Sequence, residues 1–181
     1  MREPLQDRAV PEGAKPAESS PPDWLADRAV LVIDVQPSFN PPDWLVDRCR
    51  AMAGRWPSIA TVFHHDESQV PYSRQIGWQL PSRDDSLVRA DHVVIKHGYG
   101  PSQAVLDRLA DWRPGRVLVC GIEADACVLA AGFALFDAGL RPTLVGDAVA
   151  GSSRDPDARE TLGLWQHHIG PVTALDRELD R

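Results

Sequence analysis

Three side chains that can take part in covalent and acid–base chemistry follow short apolar runs of the chain. Asp34 and Lys96 each come directly after such a run, and Cys127 lies at the turn between a third run and a helical pattern. A carboxylate can take the proton of a thiol and return it to a leaving group, and an ammonium group stabilises the resulting negative charge. The residue types therefore predict a nucleophilic thiol at Cys127, with Asp34 as general base and acid and Lys96 as charge stabiliser.

The position of Cys127 favours a reactive thiol. It begins a predicted helix after the segment GIEAD, so its sulfur is expected near free backbone N–H groups and the positive end of the helix dipole. A free thiol has a pKa of about 8.5, and we expect this position, with Lys96 nearby, to favour the thiolate. Cys120 lies inside the apolar run VLVCG and is expected to be a small buried core residue.

The elements that must position these residues are apolar runs that alternate with helical patterns. The runs predict strands at Ala29 to Ile33, Ile59 to Phe63, Val93 to Ile95, Arg116 to Gly121, Pro142 to Val145 and Pro171 to Ala174. Helical spacing of apolar residues predicts helices at Asp43 to Gly54, Ser102 to Trp112, Asp125 to Ala138 and Asp155 to His168. The alternation predicts a doubly wound α/β fold, with a mostly parallel sheet of about six strands and helices on both faces.

Ligands of such sheets bind beyond the carboxyl ends of the strands. Asp34, Lys96 and Cys127 all fall at those ends, so the topology predicts that they meet at one edge of the sheet. Taken singly, an Asp after a strand is often a cap or turn residue, and a Lys is usually a solvated surface residue. Their joint placement is what favours a shared site.

The composition restricts the partners and the compartment. The chain has 181 residues, 43% of them hydrophobic, and a formal net charge of −7, which predicts one domain and disfavours a nucleic-acid partner. It has no apolar stretch of membrane-spanning length and no signal-peptide core. Its three cysteines lack disulfide or zinc spacing. We therefore expect a cytoplasmic protein with free thiols, a small-molecule substrate and no membrane partner.

The composition changes near residue 22. Residues 1–22 are rich in Pro, Glu, Ser and Ala, which predicts a flexible N-terminal arm. Residues 23–181 are predicted to form the domain.

Tryptophans in predicted outer helices and loops suggest an assembly. They are too many for one small core, and aromatic residues are enriched at the centres of protein interfaces. We predict a homodimer or a larger homo-oligomer, the alternative being that these side chains cover seams within a monomer. The tryptophans concerned are Trp24, Trp44, Trp56 and Trp165.

Several ordered motifs resemble the signature segments of one family, the isochorismatase-like cysteine hydrolases. These motifs are Ile33 to Gln36 with Phe39, Val94 to Lys96 with Tyr99, and Gly121 to Val128. In that family, the residues matching Asp34, Lys96 and Cys127 form a catalytic triad on a parallel α/β sheet. The resemblance, which covers about residues 29–174, also implies a non-proline cis peptide bond before Glu123. It implies an oxyanion hole made by the backbone N–H groups of Glu123 and Cys127.

The loop after the second predicted strand differs from that of the nicotinamidase branch. Nicotinamidase-type members carry an Asp-x-His metal motif at this place, where the chain has Phe63, His64 and His65, followed by Asp66. We expect loop histidines here, the alternative being a metal held by His64, His65 and Asp66. No metal and no cofactor are therefore predicted, and the chain is not expected to be a typical nicotinamidase.

Aromatic residues near the motifs are candidates for the wall of a substrate pocket. They are Phe39, Tyr72, Trp78 and Tyr99. For each of them ordinary core packing is the alternative. The acid Glu123 beside this pocket would oppose anionic substrates, which disfavours isochorismate, a dicarboxylate.

The reactive groups favour hydrolysis of a small amide or related C–N bond through a thioester at Cys127. One alternative is vinyl-ether hydrolysis of the isochorismatase type, which does not need the cysteine. Another is a non-catalytic binding domain of the same fold. The complete set of Asp, Lys and Cys disfavours both alternatives.

Overall fold

The strands and helices follow the predicted order. The computed structural model describes residues 27–79 and 84–180. The strands are β1 (Arg28–Ile33), β2 (Ser58–Phe63), β3 (His92–Lys96), β4 (Arg116–Ile122), β5 (Pro142–Ala150) and β6 (Val172–Thr173). The helices are α1 (Asp43–Ala53), α2 (Tyr72–Ile76), α3 (Gln103–Trp112), α4 (Leu129–Asp137), α5 (Arg159–His168) and α6 (Leu175–Leu179). A 3-10 turn spans Pro37–Phe39 and a π-helical turn spans Ala124–Val128.

The six strands form one parallel sheet in the order β3-β2-β1-β4-β5-β6. From β1 the chain adds β2 and β3 on one side, then returns to place β4 on the other side of β1. The order of the strands thus reverses between β1 and β4, where Ile33 is paired with Gly121. A crevice for ligands forms at such a point, beyond the carboxyl ends of the strands. The predicted doubly wound parallel sheet is confirmed.

Side chains of the central strand β1 alternate between two cores. Ala29, Leu31 and Ile33 pack with residues of α3, α4 and α5 on one face of the sheet. Val30 and Val32 pack with residues of α1 and α6 on the other face. This alternation is the period of two that a strand imposes on its side chains. A strand covered on both faces reads as a continuous apolar run, which is why β1 could be recognised in the sequence.

Two predicted helices begin later than their patterns suggest. The segment after β4 first forms the π-helical turn and becomes α-helical only at Leu129. The helix predicted from Asp155 begins at Arg159, because the Asp155 carboxylate accepts the N–H of Thr161 at 2.9 Å. Asp155 therefore lies before the helix, whose N-cap residue is Ala158, and its carboxylate accepts an N–H group of the first turn. The helices α2 and α6 were not predicted, since five residues are too few to show a helical period.

The tryptophans occupy more varied positions than predicted. Trp165 is fully buried, because its ring lies where a side chain on Gly132 would otherwise be; the expectation that it faces outward is wrong. Trp56 packs beneath the guanidinium group of Arg28, 5.3 Å from ring centroid to Cζ. Trp44 is 48% exposed.

The predicted N-terminal arm, residues 1–22, lies outside the described residues, as does Trp24. Within the part of the chain that the structure describes, no helix has both the length and the apolar character needed to cross a bilayer.

Candidate active site

Asp34 is positioned by the end of β1 and by a residue of β2. Its backbone φ of 49° lies in the left-handed region, which Asp adopts more readily than most residues. The side chain is fully buried, and its Oδ1 accepts a hydrogen bond from Thr61 Oγ1 at 2.7 Å. The Asp34 N–H donates to the same hydroxyl oxygen at 3.3 Å. Thr61 therefore fixes both the backbone and the carboxylate of Asp34.

Lys96 ends β3 and is 2% exposed. Its Nζ lies 2.8 Å from Asp34 Oδ2 and 3.3 Å from Cys127 Sγ. It also donates to the carbonyl oxygens of Gly98 at 2.8 Å and Tyr99 at 3.0 Å. An ammonium group has three N–H donors, so the surrounding acceptors occupy all of them. The structure thus brings together Asp34, Lys96 and Cys127 at one edge of the sheet.

Cys127 lies in the π-helical turn that follows β4, and it is 6% exposed. The N–H groups of Ala126 and Val128 donate to the Glu123 carbonyl at 3.2 and 3.1 Å, so neither of them is free to bind an oxyanion. The peptide bond between Ile122 and Glu123 is cis, which confirms the prediction made from the family resemblance. This turn holds the Cys127 sulfur against Lys96.

The environment of the Cys127 thiol is more buried than its position in the sequence indicates. Burial, followed by the negative charge of Asp34, raises the pKa of the Cys127 thiol, and the Lys96 ammonium only partly opposes this shift. The helical turn and the lysine, which favour the thiolate, are visible in the sequence, but the depth of burial that opposes them is not. This shift favours the protonated thiol, and the Asp34 carboxylate lies close enough to affect it.

A cavity of about 280 Å³ opens beside Cys127. The four predicted pocket residues line it, namely Phe39, Tyr72, Trp78 and Tyr99. Glu123, which was expected beside the pocket, also lines it, as do three residues that were not predicted there, namely Phe63, Ile76 and Ala126. A cavity of this volume is at the small end of ligand sites, so it suits a small molecule.

The aromatic residues of the cavity pack against one another. Trp78 is stacked on Phe39 with ring centroids 6.2 Å apart, and it lies 5.4 Å from Phe63 and 5.2 Å from Tyr72. Tyr72 in turn meets the ring of Tyr99 edge-on at 5.2 Å. Pairs of this geometry contribute about 0.5–1.5 kcal/mol each beyond their buried area. The aromatic wall is therefore formed before any ligand binds.

Two buried polar residues support the site and were not identified as site residues from the sequence. Thr61 binds Asp34, as described above. The feature of the sequence that could have indicated this role is a hydroxyl residue in the middle of an apolar strand. Gln36 is fully buried; its Oε1 accepts the Phe63 N–H at 2.7 Å, and its Nε2 donates to the Phe63 carbonyl at 3.0 Å and to Asp84 at 2.7 Å. Gln36 thus fixes the end of β2 against the cavity.

The residues of the loop after β2 are engaged in other contacts. His64 Nε2 lies 3.1 Å from a backbone carbonyl, and His65 Nε2 lies 3.0 Å from Glu67 Oε2. Hydrogen bonds from Ser68 lower the pKa of Asp66 to about 2. Among residues 27–79 and 84–180, no three His, Cys, Asp or Glu side chains are grouped as metal ligands would be.

A larger cavity of about 500 Å³ lies at the opposite edge of the sheet, near the amino ends of β4 and β5. Its wall includes Phe136, Leu140, Ile169 and Pro171. The described lining contains neither a thiol nor a carboxylate. The smaller cavity beside Cys127 is therefore the candidate active site.

Fold and site together define the class of protein. A parallel α/β sheet that carries a buried carboxylate, ammonium and thiol in mutual contact at its carboxyl edge is typical of the α/β cysteine hydrolases. The family model of the isochorismatase domain matches residues 28–176. The chain belongs to the isochorismatase family of hydrolases. No curated protein shows significant sequence similarity to it.

Solved structures share the fold at low sequence identity. An isochorismatase-like hydrolase from Alkaliphilus metalliredigens superposes with a TM-score of 0.71 at 12% identity, covering 86% of this chain and 98% of that chain. A pyrazinamidase of Pyrococcus horikoshii in complex with zinc superposes with a TM-score of 0.69 at 20% identity, covering 82% of this chain and 99% of that chain. A cysteine hydrolase from Pseudomonas syringae pv. phaseolicola 1448A superposes with a TM-score of 0.65 at 17% identity, covering 93% of this chain and 97% of that chain.

Proposed function

We propose that the protein hydrolyses a small amide or related C–N bond through a thioester on Cys127. The observation that carries the proposal is the position of Lys96 Nζ, 2.8 Å from Asp34 Oδ2 and 3.3 Å from Cys127 Sγ, beside an aromatic cavity. Acyl transfer to a thiol needs a nucleophile, a base within reach of its proton and a group that stabilises the charge. These residues supply all three.

In the first half of the reaction, Asp34 takes the proton from Sγ while the sulfur attacks the carbonyl carbon. The carbon–sulfur bond forms, and the carbonyl electron pair moves onto oxygen, which we assign to the backbone N–H groups of Glu123 and Cys127. The C–N bond then breaks as Asp34 returns the proton to nitrogen. Ammonia or an amine leaves, and the acyl group remains on Cys127 as a thioester.

In the second half, Asp34 takes a proton from water while the water oxygen attacks the thioester carbon. The carbon–sulfur bond breaks, the proton passes to Sγ, and the carboxylic acid leaves. The net reaction consumes one amide and one water and yields one acid and one amine. Lys96 keeps its proton throughout and stabilises negative charge on the carboxylate and the sulfur.

The raised pKa of the Cys127 thiol supports a coupled first step. A free thiolate is unfavourable in this buried position, beside the Asp34 carboxylate. Transfer of the proton therefore accompanies attack, because the new carbon–sulfur bond removes the negative charge from sulfur.

The residues after β2 do not fit a metal site. The pyrazinamidase of Pyrococcus horikoshii was solved with zinc, and nicotinamidase-type members carry an Asp where this chain has Phe63. Here the ring of Phe63 lines the cavity, and His65 is paired with Glu67. We assign no step of the reaction to a metal.

The two alternatives have less support. Vinyl-ether hydrolysis does not need a thiol, so it would not account for the contact between Cys127 and Lys96. A binding domain would not account for the buried pair of Asp34 and Lys96, which are 0% and 2% exposed. Burying two charges is costly, and the proposed chemistry gives them a role.

We also propose that the protein acts in the cytoplasm as a homo-oligomer. The reaction requires Cys127 as a free thiol, and a reducing compartment keeps it so; Cys49 and Cys120 are free as well. The exposed aromatic side chains of Phe133 and Phe136, which lie on α4 and are 42% and 52% exposed, support an interface between copies of the chain.

Ammonia release from a panel of small primary amides with aromatic, aliphatic and cationic acyl groups tests the proposed reaction. We expect the wild-type protein to release ammonia from at least one of them, and Cys127→Ala to release none above background. Cys120→Ala is the matched control, because Cys120 is fully buried and does not line the cavity; it should retain activity. Release at the wild-type rate by Cys127→Ala, or no release by the wild-type protein from any amide, would contradict the proposal.

A further inference from the structure

Among the residues that the structure describes, the cavity beside Cys127 has one carboxyl group and no basic group to pair with it. Glu123 lines it, and none of the described lining residues is Lys, Arg or His. Burial, followed by the negative charge of Asp125, raises the pKa of the Glu123 carboxyl group. No hydrogen bond from the described residues opposes this shift. The carboxyl group thus lies half-buried at the cavity with no hydrogen-bond donor among the described residues, a position that favours a donor or a cation from a ligand.

Most of the other residues that line the same cavity are aromatic. The rings are those of Phe39, Phe63, Tyr72, Trp78 and Tyr99. The face of an aromatic ring carries partial negative charge and attracts cations, an interaction that strengthens when water is excluded. Aromatic faces recognise ammonium and quaternary ammonium groups, and a carboxyl group in the same cavity adds a charge of the complementary sign.

The charge of Glu123 acts on this aromatic wall. Burial, then the Cys127 thiol, then the Glu123 carboxylate raise the pKa of the Tyr99 hydroxyl. The Glu123 carboxylate is therefore close enough to the Tyr99 hydroxyl for its charge to act there. A cation placed between them would compensate the cost of keeping a carboxylate in a partly buried site.

Lys96 is not available to attract an anion into the cavity. Its ammonium group is occupied by Asp34, Cys127 and the carbonyl oxygens of Gly98 and Tyr99. The described part of the cavity therefore presents a single unpaired charged group to a ligand, and that group is negative when ionised.

We infer that the cavity selects a cationic ligand, held between Glu123 and the aromatic wall, and that the substrate is an amide whose acyl part bears an ammonium group. The substrate class rests on the proposed function, whereas the preference for a cation concerns binding alone. The cavity of about 280 Å³ limits the ligand to a small molecule.

A pair of isosteric amides tests the inference. 2-(Trimethylammonio)acetamide and 3,3-dimethylbutanamide have the same shape and differ by a positively charged nitrogen in place of a carbon. Binding is measured by calorimetry on Cys127→Ala, in which no turnover competes. We expect the cation to bind at least about tenfold more tightly than the neutral isostere, and the anionic malonamate to bind more weakly than both.

Glu123→Gln, added to Cys127→Ala, should remove most of that preference while leaving the affinity for the neutral isostere nearly unchanged. Glu160→Gln in the same background is the matched control, because it removes an equal charge from an exposed position of α5; it should keep the full preference. Trp78→Leu should weaken binding of the cation more than that of the isostere. Equal affinities for the two amides, tighter binding of malonamate, or a full preference in Glu123→Gln would overturn the inference.

Turnover separates this inference from the proposed function. Selective binding of the cation by Cys127→Ala, with no ammonia released from it by the wild-type protein, would support the binding site and count against amide hydrolysis. Equal hydrolysis of both isosteric amides by the wild-type protein would support the reaction and overturn the inferred selectivity.

Discussion

Thr61 donates a hydrogen bond from its hydroxyl to Asp34 Oδ1 at 2.7 Å, while the other oxygen of the same carboxylate faces Lys96 Nζ at 2.8 Å. Thr61 and Asp34 are both fully buried. The carboxylate is therefore held from two sides, and it cannot rotate without losing a charge-assisted hydrogen bond. Thr61 does not line the cavity, so it acts on the reaction through Asp34 and is a positioning residue.

Replacing Thr61 by the isosteric Val should lower kcat about tenfold and leave KM nearly unchanged. A hydrogen bond to a charged group contributes about 1.5–3 kcal/mol, and only the orientation of Asp34 is affected. Steady-state kinetics on a hydrolysed amide measure both parameters, and Thr61→Ser should restore most of kcat. A rise in KM with unchanged kcat would show that Thr61 has another role.

Substitutions of Asp34 and Lys96 should change the reactivity of Cys127 in opposite directions. Asp34 raises the pKa of the thiol and Lys96 lowers it. Asp34→Asn should therefore increase the rate of alkylation by iodoacetamide near pH 8 while abolishing hydrolysis, and Lys96→Ala should decrease both. In the wild-type protein the rate should still be rising above pH 8.5, the pKa of an ordinary thiol being about 8.5. Peptide mapping by mass spectrometry measures the modification of each cysteine.

The other cysteines serve as internal controls for alkylation. Cys49 and Cys120 are fully buried in the core, whereas Cys127 lines a cavity. Cys127 should therefore be modified first in the native protein, and all three should react alike after unfolding. Equal rates of alkylation of Cys120 and Cys127 in the native protein would contradict this account of the site. Slower alkylation of Cys127 in Asp34→Asn than in the wild-type protein would also contradict it.

Gly121→Ala should destabilise the protein and disrupt the site. Gly121 has φ of 123°, and a Cβ atom there would lie 2.2 Å from the Ile33 carbonyl oxygen, directly before Asp34. Backbone overpacking and strain of this kind cost on the order of 3 kcal/mol. Gly163→Ala, at an exposed position of α5 with nothing within 4 Å, should instead stabilise the protein by about 0.5–1 kcal/mol. Thermal unfolding measures the stability of both variants. Melting temperatures that change in the same direction in both variants would contradict the prediction.

The protein should be a dimer or a larger homo-oligomer at micromolar concentration. Phe133 and Phe136 of α4 are 42% and 52% exposed, and Leu164 of α5 is 45% exposed. Apolar side chains grouped on a surface favour association. Light scattering measures the mass, and a value equal to one chain of 19.9 kDa would rule the prediction out. Phe136→Glu should shift the mass toward that of the monomer.

The parallel sheet and the meeting of three reactive groups could be predicted from the sequence. Buried parallel strands appear as apolar runs, and the carboxyl ends of parallel strands share one edge of the sheet. Asp34, Lys96 and Cys127 could therefore be placed together before any distance was known. The cis peptide bond before Glu123 followed from the family resemblance alone.

Features that depend on tertiary contacts could not be predicted in the same way. The contact between Thr61 and Asp34 joins two strands, and the sequence does not show which hydroxyl meets which carboxylate. The protonation of Cys127 depends on depth of burial, and the burial of Trp165 depends on the missing side chain of Gly132 in a neighbouring helix. A helical pattern indicates which residues face the core but not what they meet there.

The central claim is that Cys127 carries the acyl group during turnover. Intact-protein mass spectrometry after rapid acid quenching, with an amide that the protein hydrolyses, tests it directly. The account predicts a transient increase equal to the mass of the acyl group, located by peptide mapping on Cys127 and lost on treatment with hydroxylamine, which cleaves thioesters. Sustained hydrolysis by Cys127→Ala, or an acyl group found on another residue while Cys127 stays unmodified, would contradict it.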